Sequence, residues 1–291
     1  MKIIDISRNN IHLSVFRGFL VLKENNKELK EPIADIGSII VSGFGISYSH
    51  NLLARLCELN IPLIICGNNY MPAGYLISYC NNYKLAGRMQ LQTEASLPLK
   101  KNVWKSIIKQ KVLHQQIVLN NFSDPAKDFK YMFKRVKSGD SENIEAQAAA
   151  KYWQRLFGKD FRRDFEEPGK NAFLNFGYAI IRSCTARNII GCGLSPALGL
   201  HHCNKLNAFC LADDLMEPYR QYVDVVVKQI DPAKSDELKP EYKKELSSIL
   251  EMRVSAAEEK YSVAVCIQKT AQSLVNSFKT KGDMIFYPDF K

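Results

Sequence analysis

Between Lys2 and Ser78 apolar residues come in short runs or alternate with polar ones. The segments KIIDIS, HLSVF, FLVLK, SIIVSG and PLIICG are each bounded by Asn, Gly or Pro, the pattern of short strands. One helix interrupts them, because Ser49 is an N-cap for NLLARLCEL and Asn60 with Pro62 closes it. From Tyr79 to Pro98 the alternation stops, and the segment is rich in Asn, Gln and small residues. It reads as a linker. Beyond it the period is helical over 101–119, 129–137, 141–157, 170–190 and 211–230, and in two long stretches within 240–278. The closing GDMIFYPDFK reads as a short tail that docks or stays loose. The pattern predicts an α+β chain: a small N-terminal β-rich domain with one helix over 1–78, a linker over 79–98, and a larger all-α domain over 99–291.

Composition adds a partner. A hydrophobic share of 46% and a charged share of 24% describe an ordinary globular protein, but the formal net charge is +10. That surplus points to a polyanion, nucleic acid first and an anionic membrane surface second. No apolar run reaches membrane-spanning length, and MKIIDISRNN lacks the apolar centre of a signal peptide, so the expected location is cytoplasmic. The 8 cysteines form no CxxC pair and read as buried small hydrophobes; a zinc site of His201, His202, Cys203 and Cys210 matches no common spacing. The basic charge concentrates between Lys100 and Lys137, where Lys100, Lys101, Lys105, Lys109, Lys111, Lys134 and Arg135 are among the cations and only Asp124 and Asp128 oppose them. Lysines there suit sequence-independent phosphate contact. The interleaved Trp104, His114, Phe129, Tyr131 and Phe133 read more simply as core than as base-stacking platforms.

The candidate chemistry lies in Gly199–Arg220, GLHHCNKLNAFCLADDLMEPYR. On a continuous helix Leu211, Leu215, Tyr219 and Tyr222 make one stripe, and Asp214 and Glu217, three apart, share a face. Like charges that close repel unless a cation sits between them, and His201 or His202 just upstream offers a nitrogen ligand. The plainer alternative is a solvated acidic face beside a buried histidine pair. In SENIEAQAAAKYWQRLFG, Glu145 shares a stripe with Ala149, Tyr152 and Leu156, which puts a carboxylate on a face that ought to be packed. A first-turn glutamate stabilised by the helix dipole explains it as simply. Asn171, Asn175 and Tyr178 form a polar stripe that borders a cleft or bonds a neighbouring helix.

Taken in order, NIEAQAAAKYW, LNFGYAIIRS, GLSPALGLHH and LADDLMEPYRQYVD resemble the CRISPR-associated integrase, the metal-dependent subunit that inserts new spacers into CRISPR arrays. The likeness extends to the N-terminal part, with a Pro–x–Gly turn at Pro72–Ala73–Gly74, and GLHH and DDLMEPYR look most like the form that accompanies type II systems. The resemblance implies that Glu145, His202 and Glu217 are the catalytic metal ligands, with Asp214 beside them. The family often has aspartate where this chain has Glu217.

It further implies Mg²⁺ or Mn²⁺ as cofactor, with an imidazole ligand favouring Mn²⁺. The reaction it implies is attack of a DNA 3′-hydroxyl on a phosphodiester at a repeat boundary, with nuclease activity when water attacks instead. The implied partners are double-stranded DNA, a second copy in a homodimer, and a small ferredoxin-like companion subunit of the adaptation complex. Phosphate contacts are then expected from Lys100, Lys101, Lys105, Lys109, Lys134 and Arg135. A non-catalytic basic scaffold that bridges DNA is the alternative, and it predicts no penalty for losing Glu145.

Overall fold

The computed structural model describes residues 2–25, 27–59, 61–67, 72–76, 78, 83–123, 125–233, 235–256 and 259–290. The chain divides into two units, one of residues 1–90 with 186–194 and one of 91–185 with 195–291.

In the first unit β1 (Lys2–Ile6), β5 (Ile36–Val41) and β7 (Leu63–Cys66) lie parallel, and β8 (Pro72–Leu76) runs antiparallel to β7. A second sheet is the meander β2 (His12–Phe16), β3 (Phe19–Glu24) and β4 (Lys27–Pro32), with β6 (Ser47–Tyr48) added parallel to β2. The inner strand β5 ends in the apolar run Ile39, Ile40 and Val41, all buried because both faces of the strand are covered. Leu52 and Leu56 of α1 (His50–Glu58) join the core of Leu13, Leu20, Ile39 and Leu63. Ser49 caps this helix as expected, its hydroxyl accepting from the Leu52 N–H at 3.2 Å. One expectation needs correction, and one strand was not foreseen. Pro72–Ala73–Gly74 is not a turn but the start of β8, whose sheet-edge position suits a proline. The charged KELKEP, which carries no apolar alternation, is the edge strand β4, where charge is tolerated.

The 79–98 stretch, read as a linker, holds α2 (Tyr83–Thr93), and the division between units falls inside that helix. Residues 79–82 lie outside the described ones.

The second unit is built on α3 (Leu97–Phe122), whose buried face carries Val103, Trp104, Ile107, Ile108, Val112 and Val118. Around it come α4 (Lys127–Arg135), α5 (Ile144–Phe157), most of α6 (Lys170–Gly191), α7 (Cys210–Leu215), α8 (Arg220–Ile230), α9 (Pro240–Ser248) and α10 (Val263–Thr280). The helix expected over 211–230 is broken. Pro218 cannot donate a backbone hydrogen bond, and the 3₁₀ turn Glu217–Tyr219 separates α7 from α8. The stretch 240–278 contains the short α9 and a hairpin of β9 (Arg253–Ala256) and β10 (Glu259–Ser262) before α10. The α6 and α8 backbones approach closely at Gly177, where an added Cβ would stand 2.3 Å from Val223 Cγ1. The tail docks: Tyr287 Oη lies 2.8 Å from Ser106 Oγ, and Phe290 packs on His114 and Tyr222. Among the described residues no helix is long and apolar enough to cross a membrane.

Candidate active site

The site starts from the turn before α5. Gly139, Asp140 and Asn143 take positive φ, and the turned-back Asp140 carboxylate accepts from the Ile144 and Glu145 N–H groups, both at 2.9 Å. An acidic acceptor on the free N–H groups of a first turn is favourable twice over, by hydrogen bonding and by the helix dipole. The buried stripe of α5 is Ile144, Ala148, Tyr152 and Leu156, one position from the stripe expected through Glu145 and Ala149. Glu145 therefore stands at the edge of the packed face. Its Oε1 lies 2.7 Å from Lys111 Nζ on α3.

Glu217 meets the same lysine from the other side. The Pro218 break sets it in the 3₁₀ turn, where Oε2 lies 2.6 Å from Lys111 Nζ and Oε1 2.9 Å from Arg220 Nη2. Lys111 belongs in sequence to the basic belt expected to contact phosphate, but it is buried and bridges two carboxylates from different elements. Burial alone would discharge its ammonium; Glu217 and Glu145 outweigh that and hold its pKa above the ordinary lysine value. Burial likewise works against the Glu217 charge, and Arg220 and Lys111 prevail, so its pKa is lowered.

Asp214 is fully buried and organises the histidine loop. Its carboxylate accepts from the backbone N–H groups of Leu200 (2.6 Å), His201 (3.0 Å) and His202 (3.3 Å), and its Oδ1 lies 2.6 Å from His202 Nδ1. Gly199 permits this wrap, since a Cβ there would stand 2.3 Å from the His202 carbonyl oxygen and 2.9 Å from Asp214 Oδ2. The two histidines part company here. His201 stacks flat on buried Trp104, with ring centroids 4.4 Å apart and planes 1° from parallel. His202 takes the acid-facing position: its bond with Asp214, against partial burial, raises its pKa, and the charges of Glu217 and Glu145 add to the rise. Asp214 and Glu217, expected on one helix face, thus serve different partners. Asp213 pairs with Arg182 Nε at 2.5 Å and accepts from Asn207 Nδ2 at 2.7 Å, away from both.

Beneath the site Asp224 accepts from the hydroxyls of Tyr152 and Tyr178. Burial pushes its pKa up to about 7, the two hydroxyls holding it partly down. Because the folded value exceeds the unfolded one, folding takes up a proton here. Stability from this group is lost as pH rises from the ordinary carboxylate range through about 7. Asp224→Asn should abolish that loss: its melting temperature relative to the parent should climb by a few degrees between pH 5 and pH 8, read by circular dichroism.

Among the described residues no three or more His, Cys, Asp or Glu side chains are gathered closely enough to hold a metal ion as they stand. The point between Glu145 and Glu217 is taken by the Lys111 ammonium. The residues nonetheless suit a divalent cation. Two carboxylates from different elements already converge on one ammonium, and the His202 imidazole is close enough to feel both of their charges. Cys203 is exposed, and Cys210 is buried with its thiol turned to the Asn204 and Asn207 carbonyls.

Of the other expected cations, Lys105 and Lys109 line a cavity of about 490 Å³ together with Lys281, Asn102 and Ser106. Lys101 and Lys134 are exposed and Lys100 half-buried, while Arg135 is paired with Glu142 at 2.8 Å. Trp104, His114 and Phe129 are core and Tyr131 is exposed. Of the Asn171, Asn175 and Tyr178 stripe, the two asparagines bind the loop before α6, and Tyr178 bonds Asp224 on the neighbouring helix α8. Lys111 and Arg220 are the functional residues that pattern reading passed over. The signal for Lys111 was its place on the stripe Trp104, Ile108, Lys111, Gln115, where a lysine among buried positions requires an anion.

A sequence profile of the family described as CRISPR associated protein Cas1 matches residues 5–249. The chain is 34% identical over 270 residues to a CRISPR-associated endonuclease Cas1 of Neisseria meningitidis serogroup C, covering 91% of this chain and 88% of that protein. Among solved structures it superposes on a casposase bound to integration product with a TM-score of 0.78 at 20% identity, covering 100% of both chains. A partial Cas6-RT-Cas1–Cas2 complex gives a TM-score of 0.73 at 17% identity, covering 100% of this chain and 99% of that one.

Proposed function

This chain belongs to the Cas1 family of CRISPR-associated proteins, and on that premise we propose that it joins new spacer DNA to a CRISPR array by metal-assisted attack of a DNA 3′-hydroxyl on a phosphodiester. The observation that carries the proposal is the meeting of Glu145 and Glu217 on one cation, with His202 beside them. In the proposed enzyme these three side chains hold Mg²⁺ or Mn²⁺. Bound there, the ion supplies Lewis-acid chemistry, drawing electron density from the scissile phosphate and lowering the pKa of the attacking hydroxyl.

The chain's own groups do the rest. Asp214 engages His202 Nδ1 and so leaves Nε2 as the ligand nitrogen. Its three backbone N–H bonds keep the loop from swinging away. With Glu145 and Glu217 turned to a metal ion, Lys111 would be free to pair with a DNA phosphate. Lys100, Lys101, Lys105, Lys109, Lys134 and Arg135 spread further positive charge along the unit for the duplex. The relatives named for integration product and for Cas1–Cas2 support DNA and a small companion subunit as partners. By the family resemblance the working form is a homodimer, of the version that accompanies type II systems. A non-catalytic bridging scaffold would have no use for two carboxylates from different elements that converge on one buried ammonium.

The test supplies a short duplex with free 3′-hydroxyls, a plasmid carrying a repeat array, Mn²⁺ and the companion subunit. Joined products are expected, and 3′-dideoxy ends should remove joining while any hydrolytic nicking persists. Nicking without joining under these conditions would reduce the protein to a nuclease. Joining from dideoxy ends would require another nucleophile.

A further inference from the structure

The loop 158–169, between α5 and α6, carries a guanidinium that is hydrogen-bonded to uncharged acceptors. Arg163 is half-buried, its Cζ 5.5 Å from the centroid of the Tyr178 ring. Its Nη1 donates to Asn171 Oδ1 and to the Asp164 carbonyl, both at 3.0 Å, and its Nη2 to Asn175 Oδ1 at 2.5 Å. Every one of those acceptors is neutral. Burial lowers its pKa, as expected for a cation without a carboxylate in contact. The acid one would look to, Asp224, is already engaged by two tyrosine hydroxyls. Arg220, whose Cζ is 5.0 Å from the same ring centroid, differs: Glu217 lies 2.9 Å from its Nη2.

The fork is held as well as uncompensated. Asn171 Nδ2 donates to the Arg162 carbonyl at 2.9 Å and Asn175 Nδ2 to the Phe165 carbonyl at 2.8 Å, so the same two amides fix the loop and the guanidinium together. A planar fork already placed loses little freedom when it takes a two-oxygen anion. A half-buried charge without a partner is costly, and an arriving anion relieves that cost. The contacts run from Arg163 through Tyr178, Arg220 and Glu217 to Lys111 and Glu145, which sets this charge beside the proposed reaction centre.

We propose that Arg163, held by Asn171 and Asn175, is a phosphate-binding site for the backbone of DNA lying next to the Glu145–Glu217 centre. The inference rests on the DNA-joining reading for its ligand, but its test needs no chemistry. Binding of a labelled duplex is measured by fluorescence anisotropy in EDTA across a series of KCl concentrations, for the parent, Arg163→Gln and Arg163→Lys. Arg163→Gln should weaken binding about tenfold at low salt and reduce the slope of log K against log salt by about one. Arg163→Lys keeps the charge and loses the fork, so it should keep the slope and lose affinity a few-fold.

Unchanged affinity and slope in Arg163→Gln would overturn the proposal. So would a lowered melting temperature with an unchanged slope, the mark of an arginine that only straps the loop. If Arg163→Gln does not fold, Arg163→Lys decides, and parent-like affinity in it counts against the site. A parent that binds DNA through Arg163 yet never joins it would sink the joining reading and leave this site standing.

Discussion

Glu145→Gln is expected to lower the joining of DNA ends by about a thousandfold or more while leaving duplex affinity within a few-fold. The substitution keeps the shape of the side chain and removes one of the two charges that converge on Lys111 Nζ. A divalent ion would then meet a single charged oxygen ligand, and its residence should fall with the chemistry. Glu145 is the better position for the test than Glu217. The Glu217 side chain is only 4% exposed and stands between Lys111 and Arg220, so its loss takes a carboxylate from both cations and invites unfolding. Glu145 is more exposed, and Lys105 and Lys109, proposed to face DNA, line a separate cavity. Gel-based joining and anisotropy on one preparation separate the two effects. Loss of binding together with activity would reassign Glu145 to architecture.

Lys111→Met should act in the opposite sense on the metal. In the structure Lys111, Arg220, Glu145 and Glu217 form a cluster with no net charge, so a divalent ion enters only by taking carboxylates away from the ammonium. Methionine fills similar space without charge. Without metal, two carboxylates then face one another across an apolar side chain, which lowers stability by about 3 kcal/mol, the usual cost of breaking a buried pair. With Mn²⁺ the repulsion becomes affinity. The variant should melt lower than the parent in EDTA, gain more in melting temperature on adding Mn²⁺, and bind Mn²⁺ about tenfold tighter by calorimetry. A Mn²⁺-induced rise no larger than the parent's would show that Lys111 does not compete for the site. Joining should fall even so, because the variant lacks the cation left for the phosphate.

The contrast between these residues shows what pattern reading reaches. The β-rich half and the helical half were legible because strand and helix periods differ, and Ser49 declared its helix as a cap does. The break at Glu217–Tyr219 was also written in the chain as Pro218, but the regular apolar stripe from Leu211 to Tyr222 concealed it. That break matters, since it turns Glu217 toward Lys111 and away from Asp214. Lys111 hid in a run of similar lysines. What distinguishes it is which face of a 26-residue helix is covered, a property of the tertiary fold. Strand β4 was missed for a related reason, because its charged sequence carries no apolar alternation. His201 and His202 are adjacent, and only the wrap of the loop around Asp214 assigns them different neighbours.

The central claim is that Glu145, His202 and Glu217 together hold the ion that drives joining. Crystals grown with Mn²⁺ and measured at the manganese absorption edge test it most directly. The account predicts one anomalous peak bound by all three side chains, with Lys111 Nζ withdrawn from at least one carboxylate. A Mn²⁺-saturated crystal that keeps Lys111 bridging Glu145 and Glu217, with the anomalous peak elsewhere, would contradict it.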